Sequence, residues 1–478
     1  MKEKVALRFA WRTWLRLPLR SLIQHEFSIT EGSALLMVGF IFSAVLGIVR
    51  QILFNARFGT SFEASAYYAA FRLPDTITTL LAGGTLANAM IPVLLAVAKS
   101  EGEEAAYHVV RRVLSVLMIL VVCVVVGGIF FAPLFVRVVL APGFNAETSR
   151  LSIILTQMML LDLIFIVFSS VASTVLNSRS QFLLPTIANA VHNLALIGGI
   201  VAAMIYPPIG VYGPTVGIIL DAALQLLILS PGLWRIGLRF EWAPSDARLR
   251  QVGRLLVPNG LSSLVNYAGA IVDTHYGSKA LALAGIPALQ NAWLLIGLPI
   301  RMLGLAIGQA AFPRLAAYAV AKDWLRMRHV LRWVLAISVG LSLVASGAFV
   351  MFGRLAISVI FEWGRFDVRS GDLTYAILVA YALGLPAYIA TEMLGRGLIA
   401  LQDTRTPLIT NCIQLTSRVG MIIFGLPTLD ILAIPFAFAV SSALETLLLG
   451  VVLFARIRAR LLSASPTPPS PHQPASVR

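Results

Sequence analysis

Twelve stretches of this sequence are long and apolar enough to cross a lipid bilayer, and no other feature narrows the possible folds so far. The hydrocarbon core is ~30 Å thick and a helix rises ~1.5 Å per residue, so runs of about 20 apolar residues mark spanning helices. They cover approximately 32–54, 66–98, 113–140, 151–176, 182–206, 210–233, 255–276, 288–312, 330–352, 375–398, 408–426 and 431–453. The 478 residues are 58% hydrophobic and 12% charged, with a mean hydropathy of +0.85, which predicts an all-α polytopic membrane protein. A net charge of +15 would point to nucleic acid in a soluble chain, but here the distribution decides against it. Of the 37 Lys and Arg, 25 fall in segments on the N-terminal side of the membrane, 7 in the opposite segments and 5 within spans. The positive-inside rule then puts both termini in the cytoplasm of a multi-pass protein of the inner (plasma) membrane.

The ends of the chain read differently. Residues 1–30 place Arg8, Arg12 and Arg16 at four-residue spacing among Trp11, Trp14 and Leu15. That pattern fits a basic amphipathic segment on the anionic lipids of the inner leaflet, or else a solvated extension. Residues 461–478, rich in Pro and Ser, are expected to be a disordered tail. Cys123 and Cys412 both fall inside spans, and the six histidines lack ligand spacing, so neither a disulfide framework, a metal nor a cofactor is expected. No nucleophile constellation or phosphate loop argues for an enzyme.

Shifting the chain by 221 residues lays Pro92, Leu94, Ala96, Ala98, His108, Arg111 and Leu114 on Pro313, Leu315, Ala317, Ala319, His329, Arg332 and Leu335. After one inserted residue the register continues, with Phe144 on Phe366 and Pro185 on Pro407. Much of the match lies in polar loops, where apolar composition cannot produce it. Six spans per half return the chain to the same side, so the halves are parallel repeats. The expected organisation is an N-lobe over 31–234, a cytoplasmic loop over 235–254 and a C-lobe over 255–460, the two six-helix lobes enclosing a central cleft.

Within the second span, Phe71-Arg72-Leu73-Pro74-Asp75 is followed by Ala82-Gly83-Gly84 and by Ala89-Met90-Ile91-Pro92. A helix so interrupted is tolerated in hydrocarbon only against protein or a water-filled cavity. These residues, with 43–59 (SAVLGIVRQILFNARFG), 304–315 (GLAIGQAAFPRL) and the Gln402-Asp403-Thr404-Arg405-Thr406-Pro407 run, resemble the MurJ (MviN) lipid II flippases of the MOP transporter superfamily. The resemblance implies a two-lobed flippase that moves a polyprenyl-pyrophosphate-linked cell-wall glycan between leaflets by alternating access. Other lipid-linked oligosaccharides, export of cationic drugs as elsewhere in the superfamily, and a non-transporting membrane scaffold are the alternatives. The chain departs from the family pattern at Ala44, Ser65, Gly83 and Trp293-Leu294, where members usually carry charge. It ends after the twelfth span, where many members have two further helices.

An anionic head group calls for cations that can grip phosphate oxygens, and arginine does so bidentately. Arg72 is the first candidate, the other reading being a local pair with Asp75. Arg50 either joins it or snorkels to the head groups. Arg301, two turns beyond Leu294 on the same face, either restores the lost family cation or is a rim charge. Asn88 offers hydrogen bonds to sugar or phosphate, or to a neighbouring helix. Glu392 and Arg396 are spaced to pair with each other. Sodium-binding members are thought to use an aspartate in the seventh span with oxygen ligands on the last two. This chain has Asp273 there and Glu445 in the twelfth span, but Arg418 in the eleventh cannot ligate a cation. The expectation is that Arg418 pairs with Asp273 or Glu445 in place of sodium.

Overall fold

The computed structural model describes residues 25–81, 85–237, 239–243, 246–281 and 285–464. Most of the expected basic N-terminal segment, the Ala82-Gly83-Gly84 break and most of the expected tail lie outside the described residues. Among the described residues every regular element is helical: α1 (Ile29–Phe58), α2 (Phe62–Leu81), α3 (Thr85–Glu101), α4 (Glu103–Phe135), α5 (Ala146–Met159), α6 (Asp162–Ser178), α7 (Leu183–Ile205), α8 (Tyr212–Ile236), α9 (Ala247–Lys279), α10 (Gly285–Pro299), α11 (Ile307–Val320), α12 (Trp324–Phe361), α13 (Val368–Ala400), α14 (Arg405–Leu429) and α15 (Ala433–Ala464). The second, fourth and eighth expected spans are each two successive helices, and the rest are single ones. Nine stretches among the described residues are long and apolar enough to cross a membrane, the last of them, Arg405–Leu462, holding the final two expected spans; the second and seventh expected spans, on α2–α3 and α9, are not among them. Side chains such as Phe130, Val344 and Phe424, at least 70% exposed, form the apolar surface that lipid covers.

The interruptions have local causes. Proline cannot donate to the carbonyl four residues back, so the backbone regroups downstream of it. Pro133 is followed by a π-helical turn at Val136–Leu140, and Pro299 by another at Ile300–Ala306. Helix starts are capped by short side chains that accept otherwise unpaired N–H groups. Asn145 Oδ1 accepts from the Thr148 N–H at 2.9 Å, and Asp367 Oδ1 from the Ser370 N–H at 2.9 Å.

Those two caps lie one residue beyond the 221-residue shift from each other, and a turn recurs with the same offset. Ser180 and Gln402 are both left-handed, with φ of 58° and 63°. Beside them the Gln181 N–H donates to Leu176 O and the Asp403 N–H to Leu398 O, each at 3.0 Å. The recurrence is consistent with a duplicated bundle. In the second copy the cap is reinforced: Asp403 Oδ1 accepts from the N–H groups of Arg405 and Thr406, and its carboxylate pairs with Arg456. That explains why Gln402-Asp403-Thr404-Arg405-Thr406-Pro407 is written as it is.

Compactness divides the chain elsewhere than the repeat does. One unit comprises Met1–Ala288 with Ser358–Gly371, the other Leu289–Ile357 with Asp372–Arg478. Thus α9, expected to open the C-lobe, and the segment between α12 and α13 group with the first unit. Two backbone approaches within that unit account for this. A Cβ on Gly143 would meet Ser278 O at 2.2 Å, and one on Gly364 would meet Ala56 O at 2.3 Å. The Arg365 N–H donates to Ala56 O at 2.8 Å, and the hydroxyls of Thr60 and Ser370 bond at 2.7 Å. Elsewhere in the unit α7 and α8 cross at Gly199 and Gly213, where an added Cβ would come within 2.3 and 2.4 Å of the facing carbonyl. In the second unit Leu331, Leu394, Leu398, Leu449 and Leu453 form the buried core of α12, α13 and α15.

The 237–246 linker is held by charge. Glu241 accepts from Arg111 at 3.1 Å and pairs with His108 Nδ1 at 2.9 Å, while Asp246 pairs with Arg112. Partial burial pushes the Glu241 carboxyl up, but His108 and Arg111 together outweigh it and hold the group below its ordinary range. A carboxyl depressed in the folded state contributes stability above its unfolded pKa and loses it as pH falls through the folded value. Cleavage of the linker by an acid protease should therefore rise as pH drops below the ordinary carboxylate range, and Glu241→Gln should be cleaved readily even at the upper end of the titration. Equal cleavage of both proteins across the titration would show that the pairing does not hold the linker.

Candidate functional site

Two of the expected arginines, Arg50 and Arg72, lie on the consecutive helices α1 and α2 of the first unit. On α1, the Gln51 amide donates to the Tyr68 hydroxyl at 2.7 Å and to Asn55 Oδ1 at 3.2 Å, all three side chains buried. Gln51 is next to Arg50, and Tyr68 is one turn before Arg72, so this tie fixes α1 against α2 where the arginines emerge. Arg72 is half-buried, and its Nε donates to Thr274 Oγ1 on α9 at 2.9 Å. The Thr274 hydroxyl spends its own proton on Ala270 O at 2.9 Å, which leaves its lone pairs to accept. Anchoring through Nε sets the plane of the guanidinium, which is what bidentate recognition of phosphate needs. Asp75, one turn further along α2, lies in the field of Arg72 and of His192.

Arg50 belongs to a polar chain running through the helices. Its Nη1 lies 3.5 Å from His192 Nε2 on α7, a long contact. His192 Nδ1 is 2.7 Å from Asp221 Oδ2 on α8, and the Gln225 amide donates to both Asp221 oxygens at 2.9 Å. None of His192, Asp221, Gln225 or Thr274 was singled out by the sequence. The available signal was cost: ionisable residues inside spans are expensive and mark function.

The other expected residues fall as follows. Asn88 is exposed on α3, and Asp273 is half-buried on α9 beside Thr274. Arg301 is exposed in the second unit, within the π-helical turn after Pro299. Also in the second unit, Arg396 and Glu392 lie 3.7 Å apart, the pairing their spacing predicts. Arg418 and Glu445 are each 5% exposed. The Arg418 guanidinium sits 5.2 Å over the Phe438 ring. Phe438 in turn packs edge-on against Trp293 and Tyr381, with centroids 5.6 and 5.4 Å away. Trp293, where the family usually has charge, thus completes an aromatic cluster on which Arg418 rests.

With this geometry described, comparison with known proteins is informative. A family model described as "Lipid II flippase MurJ" matches residues 54–464. The chain is 28% identical over 416 residues to the lipid II flippase MurJ of Burkholderia cenocepacia, covering 85% of this chain and 80% of that protein. It is also 28% identical over 424 residues to a probable lipid II flippase MurJ of Rhizobium tropici, covering 87% and 79%. Among solved structures, a lipid II flippase MurJ in an inward closed conformation superposes with a TM-score of 0.75 at 22% identity, over 90% of this chain and 91% of that one. An inward-facing MATE family multidrug transporter of the MOP superfamily gives 0.77 at 18%, over 88% and 96%.

Proposed function

This chain belongs to the lipid II flippase MurJ family, and on that premise we propose that it carries a polyprenyl-pyrophosphate-linked cell-wall precursor, lipid II or a close relative, from the inner to the outer leaflet by alternating access. The observation that carries the reading from family to residues is Arg72, half-buried on α2 and held in orientation by Thr274. A guanidinium oriented in this way can grip phosphate oxygens bidentately. Arg50, Asn88 and, from the second unit, Arg301 are proposed as further contacts to the head group. Both termini are placed in the cytoplasm, with residues 1–30 on anionic lipid. An interior-negative potential favours export of the anionic head group by ~2.3 kcal/mol per charge per 100 mV.

In the second unit we assign Arg418 the role of resident cation near Glu445, so that no sodium is needed there. Expression in cells depleted of their own lipid II flippase should restore precursor exposed on the outer surface, and replacing sodium by potassium should leave the rate unchanged. No rescue would overturn the cargo assignment. Rescue that stops without sodium, or sodium binding lost in Asp273→Ala, would overturn the role of Arg418.

A second reading, export of organic cations, draws support from the carboxylates Asp75, Asp162 and Asp221 in the first unit. Asp162 and Asp221 are 4% and 3% exposed, too enclosed to receive a bulky cation, and the lipid-linked anion is the better fit.

A further inference from the structure

The cargo reading makes no use of Asp162. It opens α6 directly after a turn at Leu160 and Leu161, halfway along the apolar stretch Ala146–Ser178, and is 4% exposed. One of its carboxylate oxygens, Oδ1, has no hydrogen-bond partner. The charges that reach it are of its own sign: Asp221 on α8 and Asp75 on α2. Beyond these, Asp75 faces Arg72 and His192, and Asp221 holds His192 and Gln225. Apart from the exposed Cys123 of α4, the titratable groups of the other neighbours of α6 lie towards the helix ends. Arg179, past the far end of α6, pairs with Glu103 of α4, and sixteen helical residues from Asp162 amount to ~24 Å. Arg111 and Arg112 of α4 engage the linker, Lys99 and Glu101 end α3, and Glu147 and Arg150 begin α5.

A carboxylate enclosed in this way, with a bare oxygen and acidic neighbours, is relieved by gaining a proton. A metal ion would need several ligands drawn together, and no group of three His, Cys, Asp or Glu among the described residues is so placed. A polar cavity lies close by, with Ile166, one turn beyond Asp162 on α6, in its wall. It has a volume of about 320 Å³ and is also lined by Ser170, Ser173, Thr174, Asn177, Asn189 and Gln225, roomy and polar enough for water. Gln225 is the residue bonded to both oxygens of Asp221.

We propose that the first unit holds a proton site at Asp162, reached by way of this hydroxyl-lined cavity, so that the chain binds protons as a ligand distinct from its cargo. The site stands whatever the cargo is.

The test is an infrared pH titration of the full chain in lipid nanodiscs, following the carbonyl band of protonated carboxylic acid. The wild type should gain the band on acidification, and Asp162→Asn should lose it. In Asp221→Asn, with one negative neighbour removed, the band should appear only at lower pH. Filling the cavity with Ser173→Leu should slow its shift in deuterated water. A band unchanged in Asp162→Asn overturns the proposal, as does a band abolished by sodium at fixed pH, which would mark a metal site. Should Asp162→Asn fail to fold, an unshifted midpoint in Asp221→Asn is equally decisive.

Discussion

Arg72→Ala is expected to lower flipping about 10- to 100-fold, measured as surface-exposed precursor in flippase-depleted cells expressing equal amounts of protein. A hydrogen bond to a charged group contributes about 1.5–3 kcal/mol, and removing the guanidinium takes away at least one such contact to a phosphate oxygen. Arg72→Lys keeps the charge but not the planar fork and should fall between the two. Thr274→Val nearly preserves the shape of the side chain while deleting the acceptor for Arg72 Nε, so it should cost less than Arg72→Ala and add little to it. Flipping at the wild-type rate in Arg72→Ala would remove the residue from the site. The double variant separates the roles: additive losses would mean that Thr274 acts independently of Arg72.

Gly364→Val should open the junction between the 358–371 segment and the end of α1. Gly364 has φ of 63°, a region that costs an L side chain about 1–2 kcal/mol. Its new Cβ would also lie 2.3 Å from Ala56 O, closer than any adjustment of a side chain can relieve. The Arg365 to Ala56 bond would be lost with it. The readout is Ser370→Cys, a site 6% exposed, in a background where the exposed Cys123 and Cys412 are replaced by serine. Labelling by a membrane-impermeant maleimide should accelerate at least about tenfold, since local opening moves with the free energy removed. Unchanged labelling would mean that the segment does not rely on this approach.

The helices were legible because the bilayer leaves an apolar segment of about 20 residues little choice. Arg72 was legible as a cation in an apolar run broken by Pro74. What the sequence hid were relations between distant positions. His192 and Asp221 meet across two adjacent helices, and Arg50 reaches His192 from 142 residues away. Each looks like an isolated polar residue until its neighbours are known. The placement of α9 and of 358–371 was hidden because it depends on glycines that admit a facing carbonyl, which the 221-residue match in sequence does not register. Trp293 illustrates a third limit. As a departure from the family it looked like a loss, and only its packing against Tyr381 and Phe438 shows what occupies the space.

The crossing of α7 and α8 bears on how the first unit moves. Where Gly199 and Gly213 let two backbones touch, neither rod can slide or roll without driving a carbonyl into its partner. His192 and Asp221 sit within about two turns of that weld, so the 2.7 Å between them is a fixed length carried along by any larger rearrangement. Arg50 rides on α1, which is itself tied to α7 on either side of it: Asn193 Nδ2 donates to Ser43 O at 3.1 Å and Arg57 Nε to Ala203 O at 2.9 Å. The three helices that carry Arg50, His192 and Asp221 are thus fastened to one another, and a rearrangement of the first unit carries their polar chain as one piece.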